Sequence, residues 1–278
     1  MLLKMQPGIG DTLWCFQKLQ QHLKERGPFD VEVSSTGPLR SNLAMKMVGA
    51  RRVGTHRYPP QHVEKHSIKK SSELKGSVFV SINKWLESGN RIEDWLPDLP
   101  MSWTLDFNIS NDSKIKAETL VGSENLVGIY TSSLTNNMQP AYNGMGVKGW
   151  LQKIIDILDY KPDSKIILLG APYDNSLIQP IHKALQQADI PVVNTVGVKL
   201  DVTIEIIKKL NFLLAYPSGI GILGNILDTP TLMYMPRWLL NMHETWLHPQ
   251  TIDKTAVHLQ FNNKNETNDI MRSMIWRS

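Results

Sequence analysis

Lys165-Ile166-Ile167-Leu168-Leu169-Gly170 is the stretch whose reading decides the fold. Consecutive large aliphatic residues show no alternation, so a strand here is covered on both faces. A glycine then ends the run. After it, Leu177, Ile178, Ile181, Ala184, Leu185 and Ala188 draw the apolar stripe of a helix. Before it, Trp150, Leu151, Ile154, Ile155 and Leu158 recur at helical spacing, and Leu126-Val127-Gly128-Ile129-Tyr130 is a second continuous apolar run. Further on, Pro191-Val192-Val193 reads as a brief strand and 201–210 as a helix with Asp201 as N-cap. Asn211 to Tyr216 returns as a strand, Ile220 to Leu227 as a short helix, and Thr231 to Met235 as a fifth strand. Strands alternating with helices over short links imply a parallel sheet with helices on both sides. Right-handed crossovers make that sheet doubly wound and Rossmann-like.

The first half repeats the theme. Met1–Met5, Val31–Ser34 and Val78–Ile82 read as strands, and Thr12–Arg26 and Pro38–Val48 as helices, the latter with Leu39, Leu43 and Met47 on one side. Residues 56–75 carry His56, His62 and His66 with many lysines and no periodicity, as in a long surface loop. The polar stretch Ser110-Asn111-Asp112-Ser113-Lys114, running on to Gly122-Ser123, is the expected linker. The expected division is a first α/β domain over 1–118 and a second over 124–265. Residues 266–278 form a C-terminal segment expected to pack back on the first domain.

Composition narrows the class. With 278 residues, 41% hydrophobic and 20% charged, the chain suits one or two soluble domains. No apolar run approaches the roughly 20 residues of a membrane span, and Met1–Met5 lacks the form of a secretory signal. The single cysteine, Cys15, excludes an internal disulfide and permits a reducing, cytoplasmic setting. No Cys/His cluster has zinc spacing, so no metal is expected. Residues 1–123 hold 17 Lys/Arg against 13 Asp/Glu, and the remainder 13 against 13. The excess, around Arg51, Arg52, Arg57, Lys65, Lys69 and Lys70, suits an anionic partner: phosphorylated glycan, membrane surface or nucleic acid. A solvated face is equally consistent with it.

Ligands of open parallel sheets bind beyond the carboxyl ends of the strands, and two loops there stand out. Pro7-Gly8-Ile9-Gly10-Asp11-Thr12 follows the first strand and opens a helix, with glycines that let a ligand approach the backbone. It lacks the Lys-Ser/Thr ending of a P-loop, and Asp11 is read either as a ligand-facing carboxylate or as a helix cap. Tyr216-Pro217-Ser218-Gly219-Ile220-Gly221 leads from a strand of the second half into its next helix. A helix N-terminus with small residues is an anion site; the alternative is a tight turn whose glycines serve packing alone. Asn83-Lys84-Trp85, at the end of a first-half strand, mixes aromatic and polar groups as carbohydrate sites do; the alternative is a tryptophan that belongs to the core.

Together these loops resemble the heptosyltransferase-type glycosyltransferases. Gly8-Ile9-Gly10-Asp11-Thr12-Leu13 is similar to that family's N-terminal signature. Lys148-Gly149-Trp150, Leu168-Leu169-Gly170, and Ser218-Gly219 followed by Thr229-Pro230-Thr231 match later motifs in order, over nearly the whole chain. The resemblance implies the GT-B fold: two Rossmann-like, doubly wound parallel-sheet domains facing across a cleft. It implies inverting, metal-independent transfer of a sugar from a nucleotide-diphosphate sugar, a co-substrate rather than a cofactor, to a glycan or lipopolysaccharide-like acceptor. Asp11 is then the general base. Ser132, Lys148, Ser218, Gly219, Ile220 and Gly221 hold the donor phosphates, and Gly8, Gly10, Thr12, Asn83 and Lys84 lie on the acceptor side. Pro217 stands where the family has aspartate and Ile222 where it has histidine, which leaves the donor sugar open. A DNA-modifying glycosyltransferase and a non-catalytic nucleotide-sugar-binding GT-B module are the alternatives.

Overall fold

The computed structural model describes residues 2–5, 10, 13, 30–34, 51–56, 77–79, 105–131, 146–216, 218–234 and 257–259. The expected helix Pro38–Val48 and the site positions Gly8, Asp11, Thr12, Asn83, Lys84 and Ser132 lie outside these residues, as do Pro217 and the segment 266–278. The chain divides into two compact units, Met1–Asn108 with Asn241–Trp246 and Ile109–Leu240 with Leu247–Ser278.

In the first unit, β1 (Leu2–Met5), β2 (Asp30–Ser34), β3 (Arg51–His56) and β4 (Ser77–Phe79) form a parallel sheet of order β3-β2-β1-β4. The sequence pattern does not announce β3. It opens on Arg51-Arg52 and contains Gly54, and charge and glycine are tolerated in a strand at the sheet's edge. Arg51, Arg52 and His56, expected in a basic patch or loop, thus belong to this strand. Gly10 and Leu13 are helical, and Leu13 is among the most deeply buried side chains.

The second unit carries α1 (Asn111–Val121), β5 (Leu126–Tyr130), α2 (Gly146–Leu158), β6 (Lys165–Leu169), α3 (Asn175–Gln187) and β7 (Val192–Asn194). It continues with α4 (Leu200–Lys209), β8 (Phe212–Ala215), α5 (Gly219–Ile226), β9 (Thr231–Tyr234) and β10 (Val257–Leu259). All six strands are parallel, in the order β10-β9-β8-β5-β6-β7. Counted from β5, that is the doubly wound order 3-2-1-4-5-6. The central strands β5 and β8 are buried along their whole length, as continuous apolar runs require.

The helices sort by face. Gly128 of β5 pairs with Leu213 of β8, and a Cβ on Gly128 would crowd Leu210, at the end of α4. A Cβ on Gly224 of α5 would come within 2.7 Å of Leu213 Cδ2. The face bearing Gly128 and Leu213 therefore packs under α4 and α5. The right-handed crossovers place α2 and α3, which contact each other, on the opposite face.

The stretch expected as a linker is helix α1, and the two units divide at Asn108/Ile109. Ser113, Ala117 and Val121 recur every fourth residue and are buried against the second unit. Ser110 caps the helix, accepting the Ser113 N–H at 3.3 Å, and the Lys165 ammonium donates to the carbonyl of Val121 at 3.1 Å. Glu118 pairs with Lys209 of α4. Asp201, expected to cap α4, lies inside its first turn, and the cap position is Lys199, with no side-chain bond.

Candidate functional site

Strands β5 and β8 are neighbours in the sheet although β6 and β7 come between them in sequence. The strand order reverses between them, which is where open α/β sheets leave a crevice for ligands. Their carboxyl ends are level: Tyr130 pairs with Ala215, and the Tyr216 N–H donates to the Tyr130 carbonyl at 2.8 Å. The chain leaves β5 through Thr131 and β8 through Tyr216.

Ser218 is the N-cap of α5, with an extended backbone (φ −166°, ψ −172°). The Ile222 N–H donates to the Ser218 carbonyl at 3.0 Å, opening the helical ladder. The N–H groups of Gly219, Ile220 and Gly221 precede that bond and belong to the set a helix leaves to other acceptors. The Ser218 side chain does not cap them. Its Oγ is buried and has no hydrogen-bond partner among the described residues. The same holds for Thr131 Oγ1, in a residue only 1% exposed. A buried hydroxyl without a partner costs about 1–3 kcal/mol. Ser164 Oγ is the third such atom among the described residues, and it lies before β6, at the other end of the sheet.

Charge follows the same pattern. The first turns of α1 and α4 carry Asp112 and Asp201, the usual complement to the positive end of a helix. Helix α3 has Asp174 at its cap position, and helices α2 and α5, which begin beyond β5 and β8, have no acidic residue in their first turns. Helix α2 instead carries the exposed Lys148 there, while Trp150, 2% exposed, anchors it to the core. A lysine at a helix N-terminus is electrostatically unfavourable until an anion joins it.

Of the expected donor-site residues, Ser218, Gly219 and Ile220 are at the mouth of α5, and Lys148 is at the mouth of α2. Gly221 has a packing role: it is buried, and a Cβ there would meet Met233 Sδ at 3.1 Å and the Tyr216 carbonyl at 3.4 Å. Ile222 is a core residue at 3% exposure. Thr131 was not marked by the sequence, which pointed to Ser132 beside it. A threonine ending an apolar run reads as one more strand residue, and its unpartnered hydroxyl shows only in the fold.

In the first unit the order likewise reverses, between β1 and β4, where Lys4 pairs with Phe79. The segment that follows β1 carries Gly8, Gly10, Asp11 and Thr12, and the segment that follows β4 carries Asn83 and Lys84. Of these, Gly10 is among the described residues.

Among the described residues no group of three or more His, Cys, Asp or Glu is placed to hold a metal ion, and no helix is long and apolar enough to cross a membrane.

Two doubly wound parallel sheets, each with its reversal point, define the class: this chain has the heptosyltransferase-like GT-B fold. It is similar to E. coli ADP-heptose LPS heptosyltransferase II, at 14% identity and TM-score 0.63 over 99% of this chain and 98% of that one. A glycosyl transferase family 9 structure from Veillonella parvula gives TM-score 0.65 at 10% identity, over 100% and 97%. E. coli heptosyltransferase WaaC with ADP-2-deoxy-2-fluoro heptose gives 0.54 at 10% identity, over 100% and 99%. No family model and no curated protein sequence matches the chain.

Proposed function

We propose that the protein is an inverting glycosyltransferase that moves a sugar from a nucleotide-diphosphate sugar to a glycan or lipopolysaccharide-like acceptor. The observation that carries this reading is the reversal point of the second sheet. Two buried hydroxyls there lack partners among the described residues, and the helices that follow β5 and β8 have no acidic residue in their first turns, in a fold shared with nucleotide-sugar transferases.

In this reading the donor diphosphate lies beyond β5 and β8. The N–H groups of Gly219 and Ile220, the Ser218 hydroxyl and the Lys148 ammonium stabilise the negative charge that grows on it as the glycosidic bond breaks. Ser132 adds a hydroxyl from the loop after β5. Cationic and dipolar groups already fixed in the site do the work a divalent ion does elsewhere, so neither metal nor cofactor is required. Asp11 takes the proton from the acceptor hydroxyl as it attacks the anomeric carbon from the opposite side, which inverts the configuration. Gly8, Gly10 and Thr12 shape its loop, and Asn83 and Lys84 contact the acceptor. The basic residues of the first half suit phosphorylated glycan or an anionic membrane surface. A cytoplasmic setting is compatible with the lone Cys15.

Calorimetric titration with ADP, UDP and GDP, paired with turnover of the corresponding nucleotide sugars, tests the reading. At least one diphosphate binds saturably, and Gly219→Glu abolishes that binding. A glutamate in the first turn of α5 favours the helix electrostatically, so the variant stays folded while its carboxylate repels phosphate. An unchanged titration would sink the assignment. Binding without turnover of any donor would favour a non-catalytic module, the reading to which the buried Ile222 lends weight.

A further inference from the structure

We infer that Thr131 is a specificity-determining residue, and that its hydroxyl together with that of Ser218 makes this site select a diphosphate over a monophosphate. The inference rests on the reading of the α5 mouth as a phosphate site and goes one residue beyond it.

The two hydroxyls occupy different faces of the sheet. Successive strand residues point to opposite sides of a sheet. Gly128 of β5 and its partner Leu213 face α4 and α5, so Val127, Ile129 and, continuing the alternation, Thr131 fall on the face of α2 and α3. Ser218 caps α5 and belongs to the other face. The two hydroxyls, without partners among the described residues, therefore stand on opposite sides of the sheet at its reversal point, joined by the hydrogen bond from Tyr216 N–H to the Tyr130 carbonyl.

Each comes with its own source of positive potential. Ser218 has the N-terminus of α5. Thr131 shares its face with α2, whose first turn holds Lys148 and no acid. A single phosphate engages one such half-site. A diphosphate carries two anionic centres and lies across the strand ends to engage both. Thr131 is 1% exposed, so its hydroxyl cannot exchange a lost partner for bulk water. Its free energy is set by whether a ligand supplies an acceptor.

Calorimetry on the full chain tests this with Thr131→Val, which keeps shape and removes the hydroxyl, and Thr131→Ser, which restores it. ADP, UDP and GDP are each compared with AMP, UMP and GMP. Thr131→Val weakens the preferred diphosphate about tenfold to a hundredfold, as expected for a hydrogen bond to a charged group. It changes the monophosphate by no more than about twofold, and Thr131→Ser recovers most of the loss. Without ligand, Thr131→Val melts no lower than the parent, because the hydroxyl has no partner among the described residues to lose.

If Thr131→Val binds the diphosphate as tightly as the parent, this inference fails while the phosphate site at α5 stands. If both nucleotide classes weaken equally, the selectivity claim fails. A lower melting temperature without ligand shows that the hydroxyl already has an internal partner, and that also overturns the inference. If the parent binds no diphosphate at all, the functional reading falls with it.

Discussion

The carboxylate of Asp201 is bonded on two sides. One oxygen accepts the hydroxyl of Ser113 at 2.7 Å, across to α1, and the other accepts the N–H of Val202 at 2.9 Å in the first turn of α4. It therefore fastens α1 to α4 and complements the positive end of α4. Asp201→Ala leaves Ser113 with only the Ser110 hydroxyl at 2.9 Å. The expected loss is about 2 kcal/mol, the scale of a hydrogen bond to a charged group, measured by urea unfolding. A change below about 0.5 kcal/mol, the usual range at uninvolved surface positions, would refute the fastening role. The sequence marked Asp201 correctly as belonging to the start of a helix and misjudged its partner, since a contact from residue 113 to residue 201 leaves no trace in local spacing. The site has the same limit. Ser218 was legible because Ser-Gly at a strand-to-helix junction is informative by itself. Thr131 became visible only when its burial could be set beside the lack of a partner among the described residues.

At the scale of elements, α5 shows two glycines with different tasks. Gly224→Ala gains helix propensity of roughly 1 kcal/mol, but its methyl group would crowd Thr231 Oγ1 and stand 2.7 Å from Leu213 Cδ2. Both neighbours are completely buried on interior strands of the sheet, so the helix must move. We expect a net destabilisation of about 1–3 kcal/mol, with weaker nucleotide binding because Ser218 moves with the helix. Gly221→Ala meets the flexible thioether of Met233 at 3.1 Å, which can shift, and is expected to stay within about 1 kcal/mol of the parent. Equal stabilities of the two variants by thermal melting would contradict this division. The central strands and helices α2 to α5 were legible because continuous apolar runs and broad apolar stripes leave few alternative readings. Helix α1 was not, since its buried stripe is Ser113, Ala117 and Val121, small residues that do not stand out among lysines. The edge strands β3 and β10 are likewise short or charged, and no apolar run marks them.

At the scale of the molecule, both sheets begin with the same winding, and in each the order reverses between its first strand and the next one on the far side. The sequence conveyed this as two halves of one α/β theme, but only strand pairing fixes where each reversal falls. In the second sheet it falls beside Thr131 and Ser218; in the first it falls between the strands that precede Asp11 and Asn83. Two reversal points on two sheets suit two reactants, and the proposed mechanism assigns donor phosphates to one and acceptor activation to the other. That division makes the defects separable. Asp11→Asn removes a proton acceptor and no donor contact, so it should lower kcat about 10²–10⁴-fold, the usual range for a general base. Its nucleoside-diphosphate Kd should stay within about threefold, well below the effect of losing a hydrogen bond to a charged group. Gly219→Glu should do the reverse at subsaturating donor, failing in binding first. Initial rates at saturating donor, read beside calorimetry on the same preparations, distinguish the two. Undiminished transfer by Asp11→Asn would remove Asp11 as the base. A parallel collapse of its nucleotide affinity would show instead that the first loop takes part in holding the donor.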